Sequence, residues 1–408
     1  MEETMEKKKK TWTKPRHRVV TALARLVLTP YCRIRYGIQM EKFAGQGNRP
    51  YLILYNHQTA FDQFFVGMSF RGPIYYMATE DIFSLGWLSK LLRWAVAPIP
   101  IRKQTTDITA VMNCIKVARE GGSLCIAPEG NRTYSGRTEY MSDSIASLAK
   151  KLKMPIALYR IEGGYGVQPR WSDVVRRGRM RGYVSRVIEP EEYMDLKSQE
   201  LFRLIEEGLY VDEAVADGEF FHAKRAEYLE RAMYVCPFCG LAEWESSGNQ
   251  ATCKKCGRTI TYGVDKKLTG QGFEFPFAFM GQWYDYQKQY VNSLDTASMT
   301  EEPLFRDVAD ISEVIVYQKK NLLRKDAEIF LYGDRLVLDP GTEAELVIPF
   351  GEVHAAACLG KNKLNIYHGK MIYQFKGSKR FNALKYVNLI FRYKNIARGE
   401  ENDQFLGL

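Results

Sequence analysis

An α/β layered domain, followed by a small cysteine-rich module and a C-terminal mainly-β domain, is the architecture this sequence predicts. Three observations predict it. Apolar runs of strand length alternate with amphipathic helical stretches over residues 33–215. Two Cys-x2-Cys pairs, Cys236/Cys239 and Cys253/Cys256, stand thirteen residues apart. From about residue 312 the pattern turns to short alternating runs broken by turn residues. The chain has 408 residues, 46% of them hydrophobic and 26% charged, which suits a globular protein of more than one domain.

The net charge is +10 and is unevenly spread. Residues 1–38 hold ten Lys/Arg against three Glu, with an unbroken run at Lys7 to Lys10. A second cluster, Arg170, Arg176, Arg177, Arg179 and Arg181, faces only Asp173 nearby. Both favour anionic partners such as lipid headgroups, phosphates or nucleic acid. Val19 to Leu28 is apolar but contains Arg25, and no small-residue cleavage site follows it, which argues against an export signal. It is also far shorter than a membrane-crossing helix. Basic flanks, Trp12, and apolar Val19, Leu23, Leu26 and Val27 suit an interfacial helix on an anionic membrane surface, or an amphipathic helix packed on its own domain.

Residues 33–42 read as a strand and turn. Tyr51-Leu52-Ile53-Leu54-Tyr55 reads as a buried strand, and Pro73 to Ala78 as another. Residues 82–95 are helical, with Trp87, Leu88, Leu91, Leu92 and Trp94 beside Lys90 and Arg93. Ala97-Pro98-Ile99-Pro100-Ile101 is extended and ends on Arg102 and Lys103. A helix over 107–119, capped by Thr106 or Asp107, ends at Gly121-Gly122. Ser123 to Ala127 is a strand, Ser142 to Lys151 a helix and Pro155 to Tyr159 a strand.

In α/β folds, reactive groups gather where strands end and helices begin. Those ends carry His57 and Asp62, then Arg102, then Glu129, Gly130 and Arg132. Five residues on one helix are about 140° apart. His57 and Asp62 can therefore meet only if His57 lies in the turn before the helix and Asp62 reaches back from its first turn. The carboxylate then holds one imidazole nitrogen and leaves the other to take a proton. No Ser or Cys nucleophile lies beside His57, and Cys125 sits mid-strand. The set predicts a base acting directly on a substrate hydroxyl. Gly130 admits a ligand close to the backbone.

Four blocks, Asn56–Asp62, Ile99–Arg102, Pro128–Thr133 and Pro155–Ile156, follow one another within about 100 residues. Their order and content resemble the glycerolipid acyltransferase family, best known for the 1-acylglycerol-3-phosphate acyltransferases. The resemblance covers roughly residues 15–215 and implies a glycerol-phosphate acyltransferase-like layered fold. It implies that His57 is the general base and Asp62 its orienting acid. It implies that Arg102, Glu129, Gly130 and Arg132 contact the acceptor and its phosphate, and that Pro155 shapes the donor side. The acyl donor is then acyl-CoA or acyl-carrier protein, the acceptor lysophosphatidic acid or another lysophospholipid, and no metal enters the chemistry. Asn131 and Thr133 depart from the Thr and Ser usual in the third block, but both keep hydrogen-bonding side chains.

Cys236, Cys239, Cys253 and Cys256 have the spacing of a zinc ribbon with a structural zinc, each pair followed by a glycine. Cys32, Cys114, Cys125 and Cys358 show no disulfide framework, so a reducing, cytoplasmic compartment is expected, with the protein peripheral on the inner face of the membrane. Residues 198–232 read as charged helix. Phe273, Phe275, Phe277 and Phe279 alternate as in a strand or extended arm and 281–290 reads as a helix, their aromatic surface expected to be buried between domains rather than to meet a partner or membrane. The last segment, with a hairpin at Gly333-Asp334 and a helix capped by Ser378, is similar to pleckstrin-homology-like or GRAM-like domains in topology alone. His354 and His368 have no cluster around them.

The expected boundaries are 1–32 for the interfacial helix, 33–215 for the acyltransferase domain and 216–232 for a connecting helix. The ribbon takes 233–265, the aromatic segment and linker 266–311, and the PH-like domain 312–396. Three functions fit: a membrane-surface lysophosphatidate acyltransferase of phospholipid biosynthesis, an inactive-fold lipid-binding scaffold, or a zinc-dependent nucleic-acid binder. His57 together with Asp62 favours the first.

Overall fold

The computed structural model describes residues 11–84, 86–101, 107–315, 318–400 and 406–407. Seven strands, Ile38–Met40 (β1), Leu52–Tyr55 (β2), Ile74–Thr79 (β3), Ile99–Ile101 (β4), Ser123–Ile126 (β5), Ile156–Glu162 (β6) and Met180–Ile188 (β7), form one sheet. Their order is β1-β7-β6-β2-β5-β3-β4. All neighbours are parallel except β6 and β7. The strand β2 is central because both of its faces are apolar, and all four residues are buried. Leu52 and Leu54 face one core with Cys114, Val117, Ala149 and Leu201. Ile53 and Tyr55 face the other, with Cys32, Tyr36, Phe65 and Val66. Alternate residues thus feed two helical layers, and the sheet lies between them.

The helices of this part are Pro15–Tyr36 (α1), Asp62–Ser69 (α2), Trp87–Ala95 (α3), Ile108–Arg119 (α4), Ser144–Leu152 (α5) and Ser198–Leu209, with single turns at Gly164–Val167 and Pro190–Tyr193. The strand expected over 33–42 is shortened to β1, because α1 runs on to Tyr36. Pro15 starts α1, and Gly37 stops it at φ 63°, its N–H closing on the Arg33 carbonyl. A Cβ on Gly37 would lie 2.2 Å from the Gly178 carbonyl oxygen, so only glycine fits. Arg25 interrupts the apolar run because it turns inward, donating to the carbonyls of Gly67 and Gly72. Trp12 also turns inward, onto the Ala97 carbonyl, rather than toward an interface. Asp107 caps α4 through the Ala110 N–H.

The helix expected over 198–232 ends at Leu209, and the connecting helix at 216–232 is not formed. Backbone bonds elsewhere compete for that segment. Phe220 donates to Val264, and Phe221 exchanges both bonds with Arg177. A single turn at Leu229–Arg231 is its only helical element. The strand expected over 273–279 is also absent: Pro276 has no N–H to give a ladder. The phenyl rings instead pack edge-on, Phe273 to Phe275 to Phe277, and the next helix is Met280–Ser293. Trp283 from that helix is fully buried and donates to the Val235 carbonyl.

Beyond this, Phe305–Glu313, Asn321–Leu331, Arg335–Leu338, Leu346–Pro349, Val353–Leu359, Lys363–His368 and Met371–Gly377 form a seven-stranded antiparallel half-barrel. The first strand starts at 305 rather than 312. It pairs with both the second and the seventh, bending the sheet. The helix Ala383–Ala397 fills the bend, capped by Asn382 rather than Ser378. Its Leu384, Val387 and Ile390 share one core with Cys236, Trp244 and Trp283 of the cysteine module and with Tyr134 and Trp171 of the α/β part.

Candidate active site

The parallel strands β2 and β5 are neighbours, so their carboxyl ends bring His57 and Glu129 together across 72 residues of sequence. The helix α2 begins at Asp62, and His57 lies in the turn before it. His57 Nδ1 is 2.8 Å from Asp62 Oδ2. The same carboxylate accepts the N–H groups of Gln58 and Thr59 at 2.5 and 2.9 Å and the Thr59 hydroxyl at 2.6 Å. Asp62 is wholly buried, whereas the His57 side chain is 21% exposed. A buried carboxylate with four donors is fixed in place by them. It fixes Nδ1 as the protonated nitrogen and leaves Nε2 as the basic one.

Glu129 does not reach outward. Its two oxygens accept the N–H of His57 at 2.8 Å and the N–H of Glu139 at 3.1 Å, so it is a strut beneath His57. Burial pushes its pKa up to about 8, against the two amide bonds, which favour the charged form. A group whose folded pKa lies above the usual value gives stability at low pH that is lost as pH rises. The window here runs from the ordinary 4.5 to about 8. Glu129→Gln is therefore expected to flatten the fall in stability across that window. It also sets an amide N–H against a backbone N–H, costing ~1–3 kcal/mol. Denaturant melts at pH 5 and pH 8 check both, and equal pH slopes in the two proteins would contradict the reading.

Gly130 has φ 64°, which glycine adopts without strain, and nothing stands within 4 Å of where a Cβ would be. Thr133 donates its N–H to the His57 carbonyl at 3.1 Å, tying the next loop to the histidine. Arg132, in that loop, is buried, and its Nη1 has no hydrogen-bond partner. Burial and then the charge of Arg170 lower its pKa to about 10, so it stays a cation. Arg102 lies outside the described residues, as does the Lys7 to Lys10 run. Pro155 stands at the opposite, amino end of the strands, where its carbonyl accepts the Leu52 N–H and sets the register of β2 and β6. Arg170 and Arg176 of the expected basic surface cluster are buried instead, hydrogen-bonded to backbone carbonyls. Thr59, Thr133, Glu139 and Arg170 all shape the site; the sequence marks Thr133 only as part of the third block and Arg170 only as part of a basic cluster, and Glu139 not at all. Thr59, three residues before Asp62, has the local signal of a side chain reaching a helix start.

A second constellation lies in the cysteine module. The sulfurs of Cys236 and Cys256 are 3.8 Å apart, those of Cys239 and Cys253 3.6 Å, and all four lie within 4.8 Å of one another. A tetrahedron with metal–sulfur bonds of about 2.3 Å has edges of about 3.8 Å. The four thiols thus have the geometry of a closed metal site. His368 pairs with Glu352 at the surface, away from both constellations.

Comparisons with known proteins bear on the segment that holds the first site. A family model described as Acyltransferase matches residues 37–161. Among solved structures, the chain is similar to the 1-acyl-sn-glycerophosphate (LPA) acyltransferase PlsC from Thermotoga maritima. The identity is 16%, the match covers 46% of this chain and 79% of that one, and the TM-score is 0.37. A comparison with curated proteins gives no match. The segment that carries His57, Asp62, Glu129 and Arg132 is an acyltransferase domain, and the protein that contains it is an acyltransferase.

Proposed function

We propose that the enzyme transfers a fatty acyl group from acyl-CoA or acyl-carrier protein to the free hydroxyl of lysophosphatidic acid, forming phosphatidic acid. The observation that carries this reading is the His57–Asp62 pair tied through Thr133 to a loop with the buried, unpartnered cation of Arg132. His57 Nε2 takes the hydroxyl proton while the oxygen attacks the thioester carbonyl. Asp62 stabilises the imidazolium. The carbon–sulfur bond then breaks, and the imidazolium returns its proton to the departing thiolate. Arg132 holds the acceptor phosphate, Gly130 leaves room for the approach, and Arg102, outside the described residues, is assigned to the same phosphate by the family resemblance alone. Glu129 supports His57 rather than touching the phosphate. The test is formation of phosphatidic acid by the purified chain on liposomes; failure with every lysophospholipid offered would sink the proposal.

The half-barrel with its closing helix is read as PH-like. The four cysteines are read as a zinc ribbon that holds a structural zinc, far from the reacting atoms. Among the described residues no helix is long and apolar enough to cross a membrane. We read the outer faces of α1 and α3 as resting on an anionic membrane. Val19, Leu23, Leu26, Val27 and Ile34 lie at helical spacing on α1 and are exposed, Ile34 by 85%. Trp87, Leu91 and Trp94 are exposed on α3, and Arg16 joins the two helices by donating to the Trp94 carbonyl. Exposed Arg18, Arg33, Arg35 and Lys90 supply the charge. Leu26→Glu with Ile34→Glu is expected to weaken binding to anionic vesicles about tenfold or more, with an unchanged melting temperature. Equal vesicle binding in sedimentation would remove α1 from the interface. On this reading the enzyme is peripheral, on the cytoplasmic face.

A further inference from the structure

Buried cations join the half-barrel to the loop that carries Arg132. Arg170 is 2% exposed and spans the two parts. It donates to the Arg132 carbonyl at 3.0 Å and to Asn131 Oδ1 at 3.1 Å. From the same guanidinium it donates to the half-barrel carbonyls of Cys358 at 3.1 Å and Gly360 at 3.2 Å. The turn at 360–362, between the strands Val353–Leu359 and Lys363–His368, is thereby fixed against the Arg132 loop. Lys361 of that turn lies 2.9 Å from Asp173, which also pairs with Arg231 at 2.8 Å. Arg231 and Lys361 thus share the Asp173 carboxylate, and Arg132 is close enough to Arg170 and to Lys361 for their like charges to act on one another. Asp62, the carboxylate acting on Arg132, is committed to His57 and Thr59.

Like charges at low dielectric repel strongly, and an excess of them is relieved by an anion. The repulsion is visible at Lys361. Burial lowers its pKa, Asp173 opposes that, and the charges of Arg132 and Arg231 lower it further. Arg132 Nη1, in a side chain at least nine-tenths buried, has no partner. Lys361 keeps 26% of its side chain exposed, so a ligand can reach it. A phosphomonoester dianion brings two charges and several acceptor oxygens, and it matches such a site.

We propose that the half-barrel turn at 360–362 completes the acceptor site, with Lys361 as a second cation for the phosphomonoester beside Arg132. This rests on the acyl-transfer reading above. The half-barrel then helps choose the acceptor headgroup, favouring a bare phosphate over a zwitterion.

The experiment compares the full chain with its Lys361→Ala, Lys361→Arg and His57→Ala variants. Calorimetric titration with glycerol 3-phosphate reads the anion site without turnover. Lys361→Ala is expected to weaken binding about tenfold or more, while Lys361→Arg and His57→Ala bind as the unaltered chain does. In steady state, Lys361→Ala should raise the KM for lysophosphatidic acid by a similar factor. It should leave kcat, and the KM for the acyl thioester and for lysophosphatidylcholine, nearly unchanged. A strut acting only through Asp173 would shift both acceptors alike, and that result overturns the proposal. Glycerol 3-phosphate binding that is equal in Lys361→Ala, or absent in the unaltered chain, also overturns it. Normal transfer to lysophosphatidic acid by Lys361→Ala contradicts the turn's role and leaves the acyl-transfer reading standing. Absent transfer by the unaltered chain, with binding still weakened by Lys361→Ala, contradicts that reading and leaves the anion site standing.

Discussion

His57→Ala is expected to lower acyl transfer by ~10²–10⁴-fold, the usual contribution of a positioned general base. The fold should survive, because the side chain is partly exposed and the turn is held by the His57 backbone, whose N–H donates to the Glu129 carboxylate and whose carbonyl accepts the Thr133 N–H. Asp62→Asn should behave differently. Its carboxylate accepts from His57, Gln58 and twice from Thr59, and an amide nitrogen would face one of those donors. Both activity and stability are then expected to fall, the latter by the ~1–3 kcal/mol of an unpaired buried donor, seen as a lower melting temperature. Steady-state rates with thermal melts of both variants separate the two roles. Full activity in His57→Ala would remove it as the base.

Loss of the proposed zinc is the second large expected effect. Cys236 and Cys253 are fully buried in the same core as Leu336 and Leu389 of the half-barrel. Structural zinc in small modules is worth ~10 kcal/mol or more, so a zinc held by these four thiols would support the core around them. Cys253→Ser, or chelation under reducing conditions, is expected to lower the melting temperature by about 10 °C or more. The half-barrel should be destabilised with it, because Trp283 ties the cysteine module to the shared core. Metal analysis beside the melts checks this. Protein purified under reducing conditions that holds no zinc, and whose Cys253→Ser variant melts like the unaltered chain, would contradict the site.

Local pattern carried the α/β part well. Its central strand shows as an apolar run, and the strand-to-helix turn between His57 and Asp62 follows from an angle argument alone. The misreadings share one cause, competition from distant partners. Residues 216–232 have a helical composition, yet Val264 and Arg177 claim their backbone. The alternation over 273–279 has strand period, but Pro276 has no donor for a ladder. The arginines at 170 and 176 look like a surface patch, and both are buried against carbonyls from other segments. The same limit applies at the site. Glu129 stood out as a conspicuous acid after a strand, but its use as a strut depends on the neighbouring strand. Arg170 and Lys361 reach Arg132 and Asp173 across 38 and 188 residues, a separation that no local pattern encodes.

The central claim is that His57 activates the acceptor hydroxyl directly, with no acyl-enzyme. Rapid-quench measurement of thiol release tests it, with the unaltered chain and acyl-CoA, with and without lysophosphatidic acid. Direct transfer predicts thiol release only when the acceptor is present, one equivalent for each phosphatidic acid formed. A burst of thiol equal to the enzyme concentration in the absence of acceptor would contradict it.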